Sequence, residues 1–207
     1  FGVWDPMVRI DTGTPTFHTW WGHSRAEEKV AFEGFIDFVM NRWRVDPTMH
    51  VYHYASYERG RIGMLATRHS TREVEVDRIL RGEVFIDLFS VVRQALRIGI
   101  SNYSIKSLEV LYRLVRDVPL KDAGSSVVAY EAYIQSVSEG APNQSILDEI
   151  HDYNRDDCRS NAELRTWLEE RRNELAAKTG EAVPRPVAKV EELERELTVE
   201  DRRRRDL

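Results

Sequence analysis

A helical segment over about residues 144–174 sets Ile146, Ile150, Tyr153, Asp157, Asn161 and Leu164 at three- and four-residue steps. A phenol and a carboxylate therefore interrupt a stripe that otherwise faces a core. A carboxylate there is costly to bury unless it is paired or metal-bound. Tyr153 and Asp157 lie one turn apart and share a helix face. That pairing suits metal-dependent phosphoryl transfer, in which a carboxylate holds a divalent cation and a neighbouring phenol orients the attacking water. Asp156 falls about 100° away from Asp157 and is assigned to solvent. Cys158 reads as a small buried filler.

Far upstream, Met49-His50-Val51-Tyr52-His53-Tyr54-Ala55-Ser56-Tyr57-Glu58 begins as a short strand after the turn Asp46-Pro47-Thr48 and runs into a helical pattern. An acid just past a strand end sits where α/β sheets present chemistry, at the carboxyl edge. Glu58 is therefore a candidate ligand, with a first-turn glutamate favoured by the helix dipole as the plainer reading. His53 stands beside it, but no histidine of the chain has metal-ligand spacing.

The segments HVYHYASYE, EVEVDRILRGEVFIDLFSVVRQALRIG, YSIKSLE and YNRDDC, in this order, resemble the RNase H-like domain of the RecB-like nuclease family, the YprB-type exonuclease-like domain. The similarity runs from Phe1 to about Leu175. Such domains resemble the DEDD superfamily of 3′ to 5′ exonucleases, whose acids come from three motifs. The resemblance matches Tyr153 and Asp157 to the third motif and Glu58 to the second, where it replaces the usual Asp. It implies an RNase H-like α/β fold, a mixed sheet flanked by helices. It also implies phosphodiester hydrolysis with Mg2+ or Mn2+, with Glu58 and Asp157 as metal ligands and Tyr153 as the residue that orients water. Lys106 is the candidate phosphate contact, a compact ammonium near the site. Single-stranded DNA is the expected partner, alongside a nuclease region and a superfamily 1 helicase of the same polypeptide.

The first motif of that superfamily, an Asp-x-Glu on the opening strand, is not found ahead of Glu58: Asp5 precedes Pro6, and Asp11 leads into Thr12-Gly13. The expectation is a fragment trimmed just after that motif, lacking the first strand. Two metal ions about 3.5–4 Å apart need several carboxylates, and Glu58 with Asp157 alone would hold them poorly. The competing class is an inactive RNase H-like module that grips single-stranded nucleic acid or braces a helicase. A third is a protein scaffold with no affinity for nucleic acid.

The rest of the pattern alternates strands and helices after a hairpin, residues 1–5 with 15–21 across a Thr-Gly turn. Ser24 with Glu27 forms a capping box that opens a helix to about Arg44. A helix to about Arg68 is followed by another from Ser70, capped toward Glu73 and ending near Gly82. Val84 to Leu88 reads as a buried strand, and Phe89 to Ile98 as a helix. Asp87 reads as the cap of that helix, with a ligand role as the alternative. Ser104 caps the helix that carries Lys106. Residues 1–175 form the expected domain, and 176–207, with the run Arg202 to Arg205, form a charged connector.

A chain of 207 residues with 42% hydrophobic content can bury a substantial core, and its single cysteine excludes a disulfide framework. A net charge of −5 argues against a generic basic nucleic-acid binder but leaves room for a nuclease, whose site gathers acids. No Gly-rich phosphate loop occurs, so this piece is not a complete ATPase. No run of eighteen apolar residues occurs, and because the start of the chain does not let targeting be read, a cytoplasmic location is the default expectation.

Overall fold

Strands too short to carry a sheet alone alternate with helices that supply the bulk of the buried surface. A computed structural model describes residues 1–6, 15–117 and 123–185. Along the chain run β1 (Gly2–Asp5), β2 (Thr16–Thr19), α1 (Arg25–Val45), β3 (Val51–His53), α2 (Tyr57–His69) and α3 (Glu73–Arg81). They are followed by β4 (Phe85–Asp87), α4 (Leu88–Ala95), α5 (Ile105–Tyr112), α6 (Ala123–Ser138) and α7 (Gln144–Thr179). Among the described residues the architecture is mixed α/β, mostly helical, with two small sheets, β1 against β2 and β3 against β4. The hairpin's Thr-Gly turn and the Arg202 to Arg205 run lie outside the described residues.

The described residues divide into two units: 1, 20–99 and 168–185 belong to the first, and 2–6, 15–19, 100–117 and 123–167 to the second. In the first unit, α1 starts at Ser24, whose side chain accepts a hydrogen bond from the Glu27 amide at 3.2 Å. The Glu27 carboxylate reaches the His23 amide at 2.9 Å, one residue short of the reciprocal bond that a capping box expects. Phe32, Phe35, Ile36, Val39, Met40 and Trp43 are buried along α1 at helical spacing. The Phe1 ring stacks on Phe35 with centroids 4.9 Å apart.

β3 and β4 pair in parallel, Val51 with Phe85, Tyr52 with Ile86 and His53 with Asp87, so a crossover must join them, and α2 and α3 provide it. Both strands are shorter than their apolar runs suggest. Ala55 takes a left-handed φ of 69° directly after β3 and turns the chain into α2.

The helix expected from Ser70 begins at Glu73 instead, and no side-chain cap closes its first turn. Ser70 is the left-handed C-cap of α2. The intervening turn is held by Thr71 on Glu33 and by Arg72, which bonds both oxygens of Asp37 at 2.8 and 2.9 Å. These tertiary bonds outweigh the local Ser-x-x-Glu pattern. Asp87 is the N-cap of α4, as the capping pattern requires, and the helix ends at Ala95, short of the expected Ile98.

In the second unit, β1 and β2 pair antiparallel, Gly2 opposite Thr19 and Asp5 opposite Thr16. Gly2 lets α7 approach β1: a Cβ there would stand 2.4 Å from Asn154 Nδ2. Cys158 is half-buried, with Sγ 3.5 Å from the Gly2 carbonyl. Ser104 caps α5, accepting from the Ser107 amide at 3.2 Å. α7 continues past the expected end near Glu174 to Thr179. Among the described residues no helix is long and apolar enough to cross a membrane.

A matched pair of substitutions tests the packing around α1. A Cβ on Gly34 would meet Trp20 Cδ1 at 2.8 Å, whereas one on Gly63 meets nothing within 4 Å. Denaturant melts should show Gly34→Ala destabilised by about 1–3 kcal/mol despite its better helix propensity. Gly63→Ala should be stabilised by about 0.5–1 kcal/mol.

Candidate functional site

The helix phase decides which acid of α7 is available for chemistry. The fully buried positions of α7 are Asp156, Ser160 and Leu164, so at Asp156 and Ser160 the core stripe passes one residue ahead of the predicted Asp157 and Asn161. Asp156, expected in solvent, is 0% exposed. Its burial is tolerated because Oδ2 accepts the Asp117 amide at 2.8 Å while Arg155 and Arg159 approach Oδ1 at 3.9 and 3.6 Å. Asp157, about 100° further round, keeps 32% of its side chain exposed.

What answers Asp157 is an arginine. The Arg116 side chain, 5% exposed, places Nη2 2.8 Å from Asp157 Oδ1. The same guanidinium grips Glu109, with Nε 3.1 and 3.0 Å from its two oxygens and Nη2 2.5 Å from Oε1. Glu109 is itself buried on α5 and also accepts from the Ser160 hydroxyl at 2.9 Å. Ser160 in turn meets the Tyr112 hydroxyl at 2.8 Å. Burial alone would favour the neutral guanidine, but the bonds to Glu109 and Asp157 raise the Arg116 pKa above its ordinary value. For Asp157, burial prevails and pushes the carboxyl up, although Arg116 and then Lys106 pull the other way.

The remaining members of this group follow from α5 and α7. Lys106, in the first turn of α5, holds Nζ 4.9 Å from the centroid of the Tyr153 ring, and the Arg116 guanidinium carbon lies 5.8 Å from it. Lys106, Tyr153 and Asp157 are thus brought together in one unit, with Arg116 and Glu109 as partners that sequence reasoning missed. Glu109 closes the segment YSIKSLE and was visible there. Arg116 lies beyond the end of α5, where helical periodicity gives no signal.

Glu58 belongs to the other unit. It sits on the first turn of α2, 46% of its side chain exposed, with Oε2 3.5 Å from His53 Nδ1. His53 is buried, and Nδ1 donates to the Ala55 carbonyl at 2.6 Å, because that oxygen can only accept. Asp87, at the end of β4, has both oxygens engaged: Oδ1 accepts the amides of Ala55 at 2.8 Å and Phe89 at 2.9 Å, and Oδ2 the Ser90 hydroxyl at 2.7 Å. Burial would raise its pKa, but the bonds from Ser90, Ala55 and Phe89 hold it below the ordinary carboxylate value. Next to it, burial pushes the Tyr54 phenol up to about 12, with the Asp87 charge adding to the effect.

The expected cations can be tested against these donors. Among the described residues no group of three or more His, Cys, Asp or Glu is placed to hold a metal ion. In the second unit, Asp157 and Glu109 both face Arg116, and Lys106 adds another positive charge. Two carboxylates already matched by two cations do not fit a pair of divalent ions, which need several free oxygen ligands.

Arg116→Met leaves Glu109 and Asp157 without their cation and should cost about 3–5 kcal/mol in denaturant melts. Asp157→Asn keeps an acceptor for Arg116 and relieves the burial of charge, so its stability should stay within about 1 kcal/mol of wild type. The sign with pH follows from the raised Asp157 pKa. The stability it contributes is full below the ordinary Asp value and falls as pH rises through the raised folded value; Asp87 acts oppositely, losing its contribution as pH falls through its depressed value. Carboxyl chemical shifts followed over an acid titration should place the Asp157 midpoint above, and the Asp87 midpoint below, that of an exposed Asp.

The sequence profile of the RNase H superfamily matches residues 6–169, a span that includes Glu58, Lys106, Tyr153 and Asp157. No curated protein and no solved structure matches the chain. With most of its 207 residues inside that profile, the chain belongs to the RNase H superfamily.

Proposed function

We propose that this chain is a nuclease-type domain whose second unit grips single-stranded nucleic acid, DNA first among the candidates, and that the described residues bind a strand without cutting it. Membership of the RNase H superfamily points to nucleic-acid-related, nuclease-type function. The observation that carries the binding reading is the Lys106 ammonium held 4.9 Å over the Tyr153 ring, beside a carboxylate that Arg116 already neutralises. An aromatic face with a cation next to it suits a base or sugar and its adjoining phosphate. A bare Asp157 would repel that phosphate; an Asp157 paired with Arg116 does not.

Superfamily nucleases generally use divalent metals, and the donors of the second unit do not suit them as arranged. The second reading is a metal-dependent 3′ to 5′ exonuclease within a longer nuclease-helicase polypeptide, with Glu58 and Asp157 as ligands joined by acids from outside this sequence. It is favoured by the one-turn spacing of Tyr153 and Asp157 on α7, which lies within the family match as far as Trp167 and Glu169.

Anisotropy of a labelled single strand, titrated with salt, tests the binding reading. Wild type should bind with a clear salt dependence, and Lys106→Ala should weaken binding and reduce the slope of log K against log salt by about 0.7, the value for one lost phosphate contact. With Mg2+ or Mn2+ the strand should remain undegraded. Metal-dependent digestion by the wild-type chain that disappears in both Glu58→Gln and Asp157→Asn would establish the exonuclease reading instead.

A further inference from the structure

We infer that Arg116 is a resident cation that takes the place of a divalent metal at Asp157, so that the Tyr153 face of the second unit is built to work without one; this rests on the strand-binding function proposed above. The guanidinium does there what a metal would do. It is buried, it bridges carboxylates from two different helices, and it lies beside the Tyr153 ring. The bridge is fixed from both sides, since Glu109 is also held by Ser160, and Ser160 by Tyr112.

Charge makes the same point. Glu109 and Asp157 bring two negative charges, and Arg116 and Lys106 bring two positive ones, with all four groups linked by contact or by their electrostatic influence on Asp157. A divalent ion entering next to Asp157 would meet no net negative charge and would have to approach a guanidinium 2.8 Å from its ligand oxygen. Displacing Arg116 would strand a side chain that is 95% buried and that also serves Glu109. The neighbouring cluster repeats the pattern. Arg155 and Arg159 both reach Asp117 and Asp156, and Arg155 also pairs with Asp152 at 2.8 Å, so each of these acids already has an arginine within bonding or ion-pair distance.

The test is a Mn2+ titration of isotope-labelled chain, read by paramagnetic broadening of the backbone amides of Tyr153 to Cys158. In parallel, binding to a labelled single strand is measured in EDTA and in Mg2+ at matched ionic strength. Wild type should show no saturable, selective broadening at these amides, and strand affinity should agree within about twofold between the two conditions. Arg116→Gln removes the resident charge; those amides should then broaden saturably, and Mn2+ should raise the melting temperature of the variant. Saturable broadening at Asp157 in wild type overturns the inference, as does a folded Arg116→Gln chain that gains no response to Mn2+. If Arg116→Gln fails to fold with or without Mn2+, the wild-type titration decides. Strand binding that needs Mg2+ also counts against the inference while sparing the proposed function. Absence of binding in both conditions overturns the proposed function, and the manganese result then judges Arg116 alone.

Discussion

A guanidinium taken out of water is stable only where acceptors surround it, and in the second unit the acceptors for Arg116 come from α5 and α7. Glu109 receives it through three contacts of 2.5 to 3.1 Å and Asp157 through one of 2.8 Å. Most of the unit's polar interior is arranged around that requirement. Ser160 occupies a fully buried position on α7 because its hydroxyl serves Glu109, and Tyr112 closes α5 with its own hydroxyl on Ser160. Removing the cation would leave two acids facing each other in a poorly hydrated space. Removing Asp157 costs far less, because Glu109 still holds the guanidinium.

The same logic separates acids that are structural from acids that are exposed to chemistry. Asp87 is partly buried, with both oxygens bonded by amides or a hydroxyl, and Asp156 is wholly buried, with Oδ2 on the Asp117 amide and Oδ1 facing Arg155 and Arg159. Both hold the chain in place: Asp87 fixes the end of β4 to the turn after β3, and Asp156 fixes the segment after α5 to α7. Asp157 is different. It keeps about a third of its side chain exposed, it meets a charge rather than an amide, and it shares a face of α7 with Tyr153, over whose ring Lys106 is held. A carboxylate neutralised by a fixed guanidinium can lie beside a phosphate backbone without repelling it, which links the buried pair to the function proposed for the half-buried Tyr153 ring.

Local chemistry made much of the fold legible. Ser24, Asp87 and Ser104 each accept from an amide of the first turn, as short polar side chains at helix starts do. Of the apolar residues of α1, Phe32, Phe35, Ile36 and Val39 are buried, whereas Val30 is exposed. The misses arise where distant residues decide. Ser70 followed by Glu73 looks like a helix start, but Glu33 and Asp37 on α1 hold the turn open through Thr71 and Arg72. On α7 the apolar steps through Ile146 and Ile150 lead on to Tyr153 and Asp157, and apolar content alone does not reveal that Asp156 and Ser160 are the buried positions. Their partners, the Asp117 amide and Glu109, lie 39 and 51 residues away. Tyr153 and Asp157 are legible in the sequence as a one-turn pair, while the cation beside Asp157, Arg116, stands outside any periodic segment.

Crystals of the chain grown with Mn2+ and measured for anomalous scattering put this account most directly at risk. The account predicts guanidinium density continuous between Glu109 and Asp157 and no anomalous peak within coordination distance of the Asp157 carboxylate. A manganese peak bound to Asp157, with the Arg116 side chain turned away from it, would contradict it.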